Sequence, residues 1–107
     1  MKVLHCRWGY SMILNTFVKV VKETPKSVVV HEIGSIVTSA DRPFAGMEKA
    51  DPSKELEHKG SPKEWRLFKR TNSAGEVIYR GRTYPGATSV TNFTLDDGRE
   101  HSLDHCD

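Results

Sequence analysis

Long apolar runs are missing from this 107-residue sequence. No stretch approaches the roughly 18 residues a membrane-spanning helix needs, so no membrane role is expected. Residues 1–14 carry Lys2, His5 and Arg7 but no continuous apolar core, so a secretion signal is not expected either. The P-loop, GxGxxG, HExxH and GxSxG patterns are also missing. That removes the commonest motif-bearing enzymes, and the chain is too short for a large enzyme with its own cofactor domain. Cysteine is scarce: Cys6 and Cys106, with no CxxC pair. Without secretion, both are expected as reduced thiols. An excess of one charge is missing too, with 16 Lys+Arg against 14 Asp+Glu. Strong disorder is therefore not expected.

The balance hides a bipolar layout. Residues 1–30 carry five basic side chains and one acidic, and residues 62–82 carry six and two. Residues 83–107 carry one basic and five acidic side chains. A dedicated nucleic-acid binder usually shows a clearer basic excess.

The strongest pattern along the chain is β. Leu14 to Lys22 (LNTFVKVVK) is dense in β-branched residues, which outweighs the helical spacing of Ile13, Phe17 and Val21. Glu23-Thr-Pro-Lys26 is a turn, and Ser27 to Ile33 (SVVVHEI) returns as the second arm of a hairpin. Ser35 to Ser39 continues the sheet after a bend at Gly34. Glu64 to Arg70 and Glu76 to Arg82 form a second hairpin around Asn72-Ser-Ala-Gly75, with Gly75 at positive φ. Ser89 to Leu95 is a further strand, and Arg99 to Leu103 can pair back after Asp96-Asp-Gly98.

Residues 40–62 carry Pro43, Gly46, Pro52, Gly60 and Pro62 and read as a loop insertion. Within it, Asp51 as N-cap and Pro52 as first helical residue predict one short helix over 51–58. The expectation is a single, mainly β domain over 1–107. It is either a small twisted barrel of the SH3-like kind or two stacked antiparallel sheets. Val18, Val20, Val28, Val30, Ile33, Trp65, Phe68 and Val77 are the expected core. Trp65 and Phe68 are three residues apart, so a regular strand turns only one of them inward.

Several motifs resemble a set of small uncharacterised proteins of phages and mobile elements. They are Trp8-Gly9-Tyr10, the aromatic-x-V-V strand at Phe17 to Val21, Thr24 to Val30, and Glu32 to Ser35. Ser89 to Gly98 is similar to the serine, aromatic and L-W-D-G that close that pattern, with Asp96 in the place of tryptophan. The resemblance implies a genomic setting and not a reaction.

Three constellations can carry chemistry. The first is the second hairpin, where alternation places Arg66, Phe68 and Arg70 on one face, and Arg80 and Arg82 share a side of the return strand. With Tyr84 nearby, arginine beside an exposed aromatic suits phosphate contact and base stacking, or a protein partner. The plain alternative is a solvated rim that protects a strand edge. The second is the terminal His5, Cys6, His101, His105 and Cys106, whose imidazole and thiolate groups are zinc ligands. The plain alternative is a polar tail. The third is Trp8-Gly9-Tyr10, which lines a shallow groove or simply packs in the core.

The function expected is a non-enzymatic interaction protein, without cofactor, in the cytoplasm of a host cell. It reads as a phage or mobile-element accessory factor that binds a host protein, for example to inhibit a nuclease or a defence complex. The alternatives are a nucleic-acid-binding barrel that uses the basic hairpin, and a small metal-dependent protein with a terminal His/Cys site.

Overall fold

The computed structural model describes residues 2–8, 14–42, 45–56, 64–84, 88–98 and 101–104. Eight strands run through them: β1 (Val3–Trp8), β2 (Leu14–Glu23), β3 (Ser27–Arg42), β4 (Ala45–Glu55), β5 (Glu64–Thr71), β6 (Val77–Arg82), β7 (Val90–Leu95) and β8 (His101–Asp104). Among the described residues there is no helix. Six of the strands, β1, β2, β3, β5, β6 and β7, pair in antiparallel order, and β7 returns to β1. Of the two expected architectures, the twisted barrel is therefore the one formed.

Both predicted hairpins are present. Between β2 and β3 the Thr24 side chain does the work of a turn: its hydroxyl accepts from the Ser27 N–H (3.1 Å), and its own N–H donates to the Ser27 carbonyl (2.9 Å). Between β5 and β6 the Asn72 carboxamide oxygen accepts from the Ala74 and Glu76 N–H groups. Gly75 there has a φ of 82°, where a side chain is strained.

Strand β3 is 16 residues long and has two jobs. Its first half pairs with β2 on one edge and β5 on the other, inside the barrel wall. At Gly34 the register breaks, and the second half leaves the barrel as an arm with β4 and then β8.

The arm corrects the reading of 40–62. Residues 45–55 are strand, not loop, and the helix predicted over 51–58 does not form across Asp51–Glu55. Positions 57–63 lie outside the described residues. The register explains the misleading signal. Gly34 faces Asp51 while Ile33 faces Glu55, so residues 52–54 bulge out of the ladder. Pro52 sits in this bulge, where a missing N–H costs nothing. The Asp51 carboxylate accepts from the Ser53 N–H (3.1 Å) and hydroxyl (2.6 Å), which is the chemistry of a helix cap used on a bulge. Those two bonds hold the Asp51 carboxyl below its ordinary range. A second correction concerns the C-terminal strand: β8 pairs with β4, not back onto β7.

The barrel interior holds Leu4, Cys6, Val18, Val28, Val30, Leu67, Tyr79 and Phe93, with Val20 and Trp65 packed against them. Trp65 and Leu67 face inward, so Phe68 faces out and is 47% exposed. Val77 is exposed as well, which removes both residues from the expected core. Phe17 and Ile33 lie opposite each other on β2 and β3 and are buried. Alternation puts Phe17 on the other face from Val18, so it lies outside the barrel wall, with the arm residue His101 ring to ring against it.

Candidate functional site

The outward residues of β5, β6 and β7 form the candidate surface. On β5 they are Arg66, Phe68 and Arg70, and on β6 they are Ile78, Arg80 and Arg82. On β7 they are Val90, Asn92 and Thr94. Pairing sets Phe68 directly beside Arg80, and Arg80 beside Asn92. Arg82 lies beside Val90 and, by the same register, across from Arg66. The four arginines and Phe68 open onto one groove of about 540 Å3, which Gly81 and Val90 also line. Trp65 reaches the groove from the interior side, and its indole N–H donates to the Arg82 carbonyl at 2.8 Å.

The hydrogen bonds of the arginines matter most. Arg66 donates to the Ser27 hydroxyl (2.6 Å), Arg70 to the Lys69 carbonyl (3.1 Å) and Arg80 to the Asn92 carboxamide oxygen (3.0 Å). All three acceptors are neutral, so each guanidinium is oriented with no ion-pair partner among the described residues. The acidic C-terminal stretch does not supply the missing charge through Asp96. That residue sits at the far end of β7 from Val90, and its carboxylate accepts from His101 at 2.7 Å.

Of the predicted surface residues, the structure brings together Arg66, Phe68, Arg70, Arg80 and Arg82. Tyr84 is 38% exposed but is not part of the groove wall. Val90 joins that wall without any signal in the sequence. Its exposure depends on which strand lies beside β6, and local sequence does not specify that.

No family model, curated protein or solved structure matches this chain. The chemistry of the site therefore rests on its own geometry.

The terminal His/Cys set is partly separated. His5 and Cys6 are neighbours on a strand and face opposite ways. The Cys6 side chain is in the barrel core, where burial pushes its thiol up to about 12. With its sulfur in the barrel core and the His5 ring on the other face of β1, the two side chains do not converge on one ligand set. His105 and Cys106 lie outside the described residues. Trp8 belongs to β1, and Gly9 and Tyr10 also lie outside the described residues.

What the termini form instead is a polar seam between barrel and arm. The His5 and His101 rings stack with centroids 3.8 Å apart. His5 Nε2 donates to the Asn15 carboxamide oxygen (2.7 Å), and Asn15 Nδ2 donates to Glu48 (2.9 Å). The Ser35 hydroxyl donates to the other Glu48 oxygen at 2.6 Å. Burial lowers the pKa of His5, and the adjacent His101 and Arg7 act the same way, against the raising effects of Asn15 and Asp96.

The folded state disfavours the His5 proton, so the unfolded state binds it better. Stability is full above the ordinary histidine value of about 6.5 and is lost as pH falls through the lower folded value. Glu23 acts in a separate window. Hydrogen bonds from Lys69 and Lys2 hold its carboxyl at about 2, so its contribution is present above about 4.5 and fades below that. Urea titrations are expected to show a fall in stability beginning near pH 6.5, and His5→Asn should flatten it without touching the more acidic loss. An unchanged profile in H5N would assign the neutral-range fall to another group.

Proposed function

We propose that this chain is a non-enzymatic interaction protein whose macromolecular partner docks on the outer face of β5, β6 and β7. One observation carries the reading. Among the described residues, three guanidinium groups around an exposed phenylalanine are held by neutral acceptors only, so Arg66, Arg70 and Arg80 present oriented positive charge. Like charges this close repel one another, and an anionic partner relieves the repulsion. A solvated rim explains the arginines but not the half-exposed ring among them. The resemblance to phage and mobile-element proteins supports an accessory role toward a host macromolecule in the cytoplasm. No helix among the described residues is long and apolar enough to cross a membrane.

The test is retention on immobilised heparin, read as the salt concentration at elution. Arg70→Glu with Arg80→Glu is expected to abolish retention while the melting temperature stays nearly unchanged. Lys49→Glu with Lys54→Glu makes the same net charge change on the arm and should elute only slightly earlier than the unmodified protein. Equal losses in the two variants would mean that total charge, not this face, drives binding. A lower melting temperature with retention intact would assign the arginines to the fold.

A further inference from the structure

We propose that the groove is a binding site for single-stranded nucleic acid, with Phe68 as the stacking platform for one base and Arg66, Arg70 and Arg80 as phosphate contacts around it. The proposal rests on the face being the docking surface and names its partner class.

Positive charge surrounds the ring on three sides. Alternate residues of a strand recur at roughly 6.5–7 Å on one face. Arg66 and Arg70 therefore bracket Phe68 along β5, one on each side, and Arg80 lies directly across from it on β6. A flat apolar ring with cations on three sides matches a nucleotide, which carries a flat base between two phosphates. Base stacking on an aromatic ring tolerates any sequence, and guanidinium forks match phosphate oxygens.

The density of cations favours nucleic acid over protein. Protein–protein interfaces use arginine as one anchor among mostly apolar side chains at their centre. Here the cations outnumber the apolar groups: Arg80 stands between Phe68 and Asn92, with Arg66, Arg70 and Arg82 around it and Val90 at the edge beside Arg82. No carboxylate belongs to the outward positions from Arg66 to Arg70, Ile78 to Arg82 or Val90 to Thr94. A patch that is basic at its centre suits a polyanion better than a folded protein surface.

The shape of the site favours a single strand over a duplex. Reading a duplex takes a helix or ribbon that protrudes into the major groove. These arginines line a groove in a barrel wall, a concave site of about 540 Å3. Pockets of that volume take one small flat molecule, which an unpaired base provides. The remaining N–H groups of Arg66, Arg70 and Arg80 stay available, since each guanidinium has five and spends one on its neutral acceptor.

The experiment uses the full chain and a labelled, mixed-sequence single-stranded oligonucleotide of about 12 nucleotides, read by fluorescence anisotropy between about 50 and 200 mM salt. Parallel arms use the same sequence as a duplex and a poly-glutamate peptide. The single strand should bind most tightly. Each phosphate contact contributes about −0.7 to the log–log salt slope, so Arg80→Ala should make the slope shallower by about that much. Phe68→Ala should weaken binding about tenfold and leave the slope unchanged, with Phe68→Trp restoring affinity. Phe68 is 47% exposed, so its truncation leaves the barrel core intact, which a melting curve checks. Poly-glutamate binding as tight as the oligonucleotide, with no effect of F68A, would overturn the nucleic-acid proposal and leave the docking face standing. Tighter duplex binding would overturn it too. No binding in any arm would remove the docking reading itself.

Discussion

Phe93→Ala is expected to lower the unfolding free energy by about 3–5 kcal/mol, among the largest effects available in this chain. Phe93 is fully buried, and β7 brings it into the barrel opposite Tyr79 of β6. Its ring meets a core built from four other strands: Leu4 and Cys6 of β1, Val18 of β2, Val28 and Val30 of β3, and Leu67 of β5. These side chains are anchored to a closed ladder, so the wall cannot collapse into the space a missing ring leaves. The cost is then the lost transfer free energy plus a cavity. Urea denaturation checks this, with the midpoint falling and the slope unchanged. A loss below about 1 kcal/mol would mean that the site relaxes freely and that the barrel does not close around this residue. The outward neighbour Asn92 on the same strand should be far more tolerant, because its side chain is exposed and only orients Arg80.

Gly81→Val is expected to cost about 1–3 kcal/mol and to weaken retention on heparin in the same variant. A Cβ at position 81 would sit 2.5 Å from Leu67 Cδ2 and 3.1 Å from the Arg66 carbonyl oxygen. Leu67 is fully buried, and the carbonyl is backbone, so neither can step aside cheaply. The relief is to push β6 away from β5. That separation lies between Arg80 and Arg82, so the same movement spreads the groove. Gly34 provides the contrast. A Cβ there meets the side-chain carbons of Lys54, Cδ at 2.4 Å, and an exposed lysine stem can swing away. Gly34→Ala should therefore cost less than Gly81→Val and leave heparin retention unaltered. Thermal melts and heparin elution of the two variants check the pair of expectations. Equal costs at the two glycines would mean that the β5–β6 spacing is not what the glycine protects.

Part of this architecture is legible in the order of residues along the chain. The two hairpins, the positive φ at Gly75 and the shared face of Arg66, Phe68 and Arg70 all follow from contacts within a few residues. Alternation has a period of two, and turns are set by Pro25, Asn72 and Gly75 themselves. Alternation alone cannot say which face is inside. β5 carries an aromatic on each side, Trp65 and Phe68, so both assignments look acceptable in sequence. The neighbouring strand decides it: β3 sets Val30 opposite Trp65 and Val28 opposite Leu67. Those valines are buried, and Phe68 is left outside. That exposure makes the ring available to a partner.

That this chain makes strands, where two of its hairpins turn, and that Arg66, Phe68 and Arg70 share one side of their strand as Arg80 and Arg82 share one side of theirs can all be read from residue order. Each of these depends on local geometry and on residues that restrict φ. Long-range pairing settled that β1 and β7 close the barrel, that Cys6 turns into the core away from His5, and that His101 stacks on His5. It also decided that residues 45–55 pair with the end of β3 instead of forming a helix. A short isolated helix is marginal in water, whereas the same segment gains ladder hydrogen bonds from β3 on one edge and β8 on the other. Pairings between residues far apart in the chain leave no periodic trace in either partner, so only the assembled fold reveals them.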